Sequence, residues 1–257
     1  MTAADILAQP LGTSALGPVL LPAGDKRSPG GVALSTRAGI VLVDAGMGAD
    51  DGEEALAQAS RASGSGRLAA VVWTGPDQGL GERVPEHTAR VTADDAGPGH
   101  PLPGAGCAYR LGSDPVAVVW DEHSGLLAAG QLLAPGAPLL GHLGLGTART
   151  ALRTLAGLPV RTAIGAYGTV HTGEQARRAL RSRLVYLDVV ERIARAGSTA
   201  CTSPRAAAAD AWQRGELKAW DAAAPERHLL NIHAAYAHVQ NRALGPDAWQ
   251  EACGIAS

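Results

Sequence analysis

Phenylalanine is absent from the 257 residues, and tyrosine and tryptophan number only 4 and 5, so Leu, Val, Ile and Trp must fill the core. The absence sits beside an abundance of Ala, Gly and Arg, which reads as a GC-rich coding bias rather than a structural choice. Cysteine is scarce too. Cys107, Cys201 and Cys253 are odd in number and widely spaced with no C-x-x-C, which argues against a disulfide framework and against a cysteine-based zinc knuckle. Charge of either sign is not in excess: Lys+Arg 22 against Asp+Glu 24 leaves −2, and no basic stripe interleaved with aromatics marks a nucleic-acid surface. No apolar run approaches the roughly 20 residues that span a bilayer, and Met1-Thr2-Ala3-Ala4-Asp5 lacks the basic start of a secretion signal. The expectation is a cytoplasmic protein with no membrane and no nucleic-acid partner.

What is present is enough apolar material, 46%, to bury a substantial core in one large α/β domain, alone or with an appendage. Apolar runs of strand length alternate with turn signals through the first two-thirds. Residues 19–21, 31–35, 40–44, 68–73, 87–91, 108–111, 116–120 and 125–129 read as strands, with a short helix over 51–60. The run Leu68 to Trp73 is unbroken, the pattern of a strand buried on both faces. After Gly146 the period becomes helical. Thr147 to Leu155 reads as a helix, Val160 to Ile164 as a strand, and Thr172-Gly173-Glu174-Gln175 has the form of a capping box opening a helix to about Ala196. Ser203-Pro204 starts another helix, and Glu226 to Ala243 forms a last amphipathic one with Leu229, Ile232, Tyr236 and Val239 near one face.

The segment Val71-Val72-Trp73-Thr74-Gly75-Pro76-Asp77-Gln78-Gly79-Leu80 carries an apolar strand into a tight Gly/Pro/Asp turn. It resembles the place where metallo-β-lactamase-fold hydrolases carry Thr-His-x-His-x-Asp-His. The order of the other turns is similar to that superfamily over roughly Pro18 to Arg242. Gly39 to Gly46 looks like its strand ending in Asp-x-Gly; Gly112-Ser113-Asp114-Pro115 is similar to the turn that brings a third histidine. Leu126 to Leu133 looks like the strand ending in Gly-Asp, and Ile164 to Val170 like the turn holding the last histidine. Arg227 to Tyr236 resembles the closing helices of some superfamily hydrolases. The resemblance implies a four-layer αββα sandwich over residues 1–198, with additional C-terminal helices over 199–257 packed on the same domain.

The departure is as systematic as the likeness. Seven positions that would hold His or Asp hold Gly75, Asp77, Gly79, Leu80, Ser113, Gln131 and Tyr167, and only Asp77 is a usual zinc donor. The reading therefore expects no metal and no other cofactor, and with no metal-bound water the family's hydrolytic mechanism does not carry across.

Catalysis, if retained, falls to acid/base residues. Asp77 is a candidate general base or acid, or else an Asx-turn residue after Pro76. Tyr167 can supply a hydroxyl to an oxyanion, or simply fill the volume of a lost metal site. His142 and His171 sit on connections bordering the family's pocket, where an imidazole titrates near neutral pH, though the sequence alone names no group that would work with either. His142 is grouped with Asp77 and Tyr167 as catalytic; Trp73, Ser113, Gln131 and His171 are expected to contact substrate, although Ser113 and Gln131 can equally satisfy one another. His228, His233 and His238 recur every five residues, about 140° apart on a helix, and make no i, i+4 ligand pair. A relocated metal site at His87, Asp94, Asp95 and His100 competes with the plainer reading of solvated loop residues. Gly144-Leu145-Gly146 lacks the rest of a dinucleotide fingerprint, and no G-x-S-x-G occurs.

Two functions remain open. One is a metal-independent enzyme of bacterial specialised metabolism that cyclises, eliminates or hydrolyses a small organic substrate. The other is a catalytically inactive protein that binds a ligand or a partner protein. Exposed apolar positions on the last helix leave room for a homodimer or a paralogue partner.

Overall fold

Strand β3 (Gly39–Val43, sequence GIVLV) is buried at all five positions, as an uninterrupted apolar run requires. Its alternate side chains enter two different clusters. In this computed structural model, which describes residues 18–20, 31–36, 38–44, 57–61, 67–74, 84, 86–96, 100–102, 106–110, 117–141 and 143–253, Val41 and Val43 face a second sheet. Ile40 and Leu42 face the other way, against Ala59, Trp73 and Val84.

The chain divides into two compact units, the first made of Met1–Leu111, Pro115–Gln131 and Pro159–Ala176. It holds both sheets. The first has the order β1 (Pro18–Leu20), β2 (Val32–Thr36), β3, β4 (Leu68–Val72), β5 (Ala89–Val91), with β3, β4 and β5 parallel and the β1–β2–β3 pairs antiparallel. The second contains β6 (His100–Pro101), β7 (Cys107–Arg110), β8 (Ala117–Asp121), β9 (Leu126–Gly130), β10 (Thr162–Gly165) and β11 (Val170–Thr172), hydrogen-bonded in the order β11-β10-β9-β8-β7-β6. Only β9 and β10 are parallel there. Val41, Val43, Ala70 and Val72 from one sheet meet Ala108, Val119, Ala128 and Ile164 from the other, so the core lies between the two sheets. A short helix α1 (Ala93–Ala96) follows β5, and residues 57–61 are helical beyond the outer face of the first sheet.

The second unit comprises Gly112–Asp114, Leu132–Leu158 and Arg177–Ser257. It contains α2 (Leu145–Ala156), most of α3 (Glu174–Thr199), α4 (Pro204–Gln213), α5 (Pro225–Val239) and α6 (Pro246–Cys253). The expected start of α4 is present: the Ser203 side chain accepts from the Ala206 N–H at 3.2 Å, with Pro204 at the first helical position. The expected start of α3 is not. Thr172 pairs with Thr162 in the β10–β11 ladder, and the helix begins at Glu174 behind Gly173, whose φ of 53° suits a residue without a Cβ. Thr172 thus stands one position too far out to cap.

Helix α5 also differs from the expected amphipathic tail, since His228, Leu230 to Ala237 and even Asn231 are buried. It is the centre of its unit, and the chain continues past it into α6. Gly197 of α3 lets α5 approach closely, because a Cβ there would lie 1.8 Å from the Tyr236 hydroxyl oxygen. The polar groups of α5 are well employed. Asn231 donates to Pro138 O (2.7 Å) and to the Tyr186 hydroxyl (3.0 Å), and accepts from the Leu140 N–H (2.9 Å). The Tyr186 hydroxyl meets His228 Nδ1 at 3.0 Å, and Arg183 and Arg227 donate to Ala134 O and Pro135 O. Helix side chains therefore satisfy the backbone of the buried 134–140 connection, which has no ladder of its own. Among the described residues, no helix is long and apolar enough to cross a membrane.

Candidate functional site

Parallel strands release their loops at one edge, and here β3 and β4 both end in polar residues after wholly apolar runs. Asp44 follows β3 and Thr74 lies two residues beyond β4. The Thr74 N–H donates to Asp44 Oδ1 at 2.8 Å and its hydroxyl to Oδ2 at 2.6 Å. Burial raises the Asp44 carboxyl above the usual carboxylate range, against the two Thr74 bonds that pull it down. The backbone there is left-handed, with Asp44 at φ 51°.

The second sheet closes onto this pair. Gly130, the last residue of β9 at φ 43°, lies so near that an added Cβ would sit 1.9 Å from Thr74 Oγ1 and 2.7 Å from Asp44 Oδ2. The N–H of Ala117, which opens β8, donates to Thr74 O at 3.1 Å. Gly130 pairs with Gly165 at the end of β10, so that strand delivers its turn to the same edge. The turn is tied by Gly165 N–H to Thr169 O (2.9 Å) and by the Thr169 hydroxyl to Ala166 O (3.1 Å). Tyr167 stands at its tip at φ 60°, ψ 31°, a conformation rare for a residue with a bulky side chain. Gln131 follows Gly130, and among the described residues nothing hydrogen-bonds its buried Oε1.

The fold thus brings Gln131 and Tyr167 to one edge with Asp44, Thr74 and Gly130. Asp77, Ser113 and His142 lie outside the described residues. Trp73 is elsewhere: it is buried in the outer cluster with Ile40, Leu42 and Val71, on the face of the first sheet away from the sandwich. His171 lies on β11 opposite Ala163, two residues back from the Gly165 end, while the neighbouring pair Ile164 and Val170 takes the inter-sheet side. At the other place imagined for a metal, Asp95 accepts from the Thr92 N–H (2.9 Å) and hydroxyl (2.7 Å), which lower its carboxyl. It caps its own turn. His228 and His233 are buried and His238 is exposed.

Asp44 and Thr74 are the site residues that reading for histidine slots passed over. Their signal was a lone polar residue closing each of two apolar strand runs.

No sequence-family model and no curated protein matches the chain. Solved structures do. A metallo-β-lactamase family protein from Thermus thermophilus aligns over 88% of this chain and 94% of its own, at TM-score 0.59 and 15% identity. A metallo-β-lactamase from Pontibacter korlensis aligns over 69% of this chain and 97% of its own, at TM-score 0.53 and 16% identity. The chain has the metallo-β-lactamase fold. A double mutant of the sec-alkyl sulfatase PisA1 extends the match to 92% of this chain but 51% of its own, at TM-score 0.69 and 12% identity. At such identities the likeness is one of fold.

Within the metallo-β-lactamase fold, the described part of this edge does not suit zinc. Structural and catalytic zinc take imidazole, thiolate or carboxylate ligands, usually three or more from the protein. Among the described residues no three His, Cys, Asp or Glu side chains group together. Gln131 and Tyr167 offer an amide and a phenol, and the one carboxyl, Asp44, is engaged by Thr74.

Proposed function

We propose that this protein is a metal-independent enzyme of bacterial specialised metabolism. It works in the cytoplasm on a small organic molecule, by acid/base chemistry at the edge where β3, β4, β9 and β10 end. Cyclisation, elimination and hydrolysis all lie within reach of such groups. The observation that carries the reading is Gln131 Oε1, a buried acceptor with no hydrogen bond among the described residues, one residue from the Asp44–Thr74–Gly130 contact. An unmade hydrogen bond of this kind costs about 1–3 kcal/mol, and a ligand N–H or O–H recovers it. Tyr167 supports the same reading, because a left-handed tyrosine at the tip of a tied turn is strain of the sort that collects at functional sites. In this proposal Asp77, Tyr167 and His142 share the proton transfers, and Ser113 and Gln131 orient the substrate. Trp73 supports β4 from behind, and His171 lies beside the site rather than in it.

A thermal-shift screen of small organic molecules tests this. Hits are expected whose shift falls when Tyr167→Phe, Asp77→Ala or Gln131→Leu is introduced, and some hits should be chemically altered on incubation. Shifts that every variant retains would move the site elsewhere.

A second reading, a catalytically inactive protein that binds a ligand or partner, draws on the Asp44–Thr74 pair. Both carboxyl oxygens are already engaged by the protein itself. Under that reading hits bind and are weakened by the same substitutions, yet none is transformed.

A further inference from the structure

Arg183 of α3 is a buried cation without an anion. It is 6% exposed, its Nη2 donates to Ala134 O at 2.9 Å, and among the described residues its buried Nε donates to nothing. No carboxylate acts on it: burial and the nearby Arg227 guanidinium pull it down to about 10, and Tyr186 alone opposes them. Burial holds that phenol above its ordinary 10.0, so it is uncharged at neutral pH and lends no counter-charge. Buried charges in folded proteins are paired. Here the charged neighbour is a second cation.

Both guanidiniums are gathered on one short stretch of chain. Arg183 reaches Ala134 O from α3, and Arg227 reaches Pro135 O at 2.5 Å and Ala137 O at 3.4 Å from α5. Satisfying this backbone does not call for charge, since the neutral Asn231 amide serves Pro138 O and the Leu140 N–H of the same connection. Glu226, next to Arg227 in sequence, is exposed and forms no ion pair with Arg183. All these groups belong to the second unit, and Arg227, Pro135 and Gly136 are half-buried, so the cluster borders solvent.

We propose that Arg183 and Arg227, gathered against residues 134–137, form a binding site for the oxyanion of a small molecule, a carboxylate or a phosphate. A guanidinium takes such a group through two parallel N–H bonds, and the Nε side of Arg183 has a donor to give. Arg227 adds its positive charge, and the neutral Tyr186 hydroxyl adds no repulsion. The anion supplies the counter-charge that Arg183 lacks, so it binds the folded chain and stabilises it.

Thermal midpoints of the full chain test the proposal, titrated at constant ionic strength with inorganic phosphate or with acetate against a chloride control. Phosphate, acetate or both are expected to raise the midpoint saturably, by roughly 2–5 °C at about 10 mM, and the one that acts identifies the anionic group. Arg183→Met is expected to abolish the rise. Because Arg183 also holds Ala134 O, Arg227→Gln serves as the second variant: it removes a charge while leaving an amide to donate. It is expected to weaken the anion at least roughly tenfold in calorimetric titration. A midpoint that neither anion moves beyond chloride overturns the proposal. So does a rise that either folded variant retains in full.

Discussion

A single carboxyl, Asp44, shows how burial and hydrogen bonding compete at the edge of the sheets. Its folded pKa is raised above the ordinary value of 3.8, burial outweighing the two bonds from Thr74. The folded state then holds the proton to higher pH than the unfolded chain, so the stabilisation present below 3.8 is lost as pH rises through the folded pKa. Asp44→Asn keeps an acceptor for the Thr74 N–H and cannot ionise, so its stability is expected to gain on that of the wild type as pH rises above 3.8. The advantage should shrink on acidification, as read from urea midpoints across the pH range, and a constant difference would rule this account out. Gly130→Ala acts oppositely. Its Cβ would press 1.9 Å from Thr74 Oγ1, and overpacking of this kind costs about 1–3 kcal/mol. The left-handed backbone adds roughly 1–2 kcal/mol. Combining it with Thr74→Ala is expected to recover part of the loss, which a double-mutant cycle measures. In the sequence Asp44 and Gly130 stood in turns that resemble the superfamily's without being candidate site residues, because the contact between them comes from strands that meet only in the folded chain.

At the scale of elements, legibility followed burial on two faces. β3, β4, β8 and β9 are continuous apolar runs, and the sequence located each within a residue or so. β6 (His100–Pro101) and β11 (Val170–Thr172) are short strands at the ends of their sheet, with few apolar residues to announce them. The capping-box pattern at Thr172 was overridden by strand pairing, a tertiary decision that no local pattern contains. Helix α5 misled for another reason: with His228, Asn231 and His233 buried among alanines, no polar face remained to set its period. Those histidines bear a prediction. Burial lowers both His228 and His233 below the usual 6.5, although Trp220 O and Glu251 respectively oppose the shift, and Arg227, Arg242 and Arg205 lie near enough to reinforce it. The unfolded chain therefore takes up protons first, so the stability they contribute is full above 6.5 and declines as pH falls through that value toward the folded pKa. Thermal midpoints are expected to drop between about pH 7.5 and 5.5, and His228→Gln with His233→Gln should flatten the decline. Asn231→Ala, which strands Pro138 O, the Leu140 N–H and one partner of Tyr186, is expected to cost about 2–4 kcal/mol at any pH in that range.

For the whole molecule, the fold was legible where the chemistry was not, because the order of strands and turns does not depend on which side chains the turns carry. Two sheets with a shared core need only apolar strands in sequence, and β2, β3, β4, β8, β9 and β10 supply them. A metal site needs particular atoms at particular turns, and here the turns persist with Gln131 and Tyr167 in them. Metal binding adds folding stability wherever a site exists, since the ion binds the folded chain alone. Protein purified without chelator is accordingly expected to hold well under one equivalent of zinc, iron or manganese. Its thermal midpoint should be unmoved by EDTA, and adding zinc should produce no saturable stabilisation. A stoichiometric ion, or a midpoint that falls on chelation, would mean that Asp77 and the neighbouring loops assemble ligands that their spacing does not announce. The metal-free mechanism would then have to be abandoned in favour of one in which Gln131 and Tyr167 flank an ion rather than replace it.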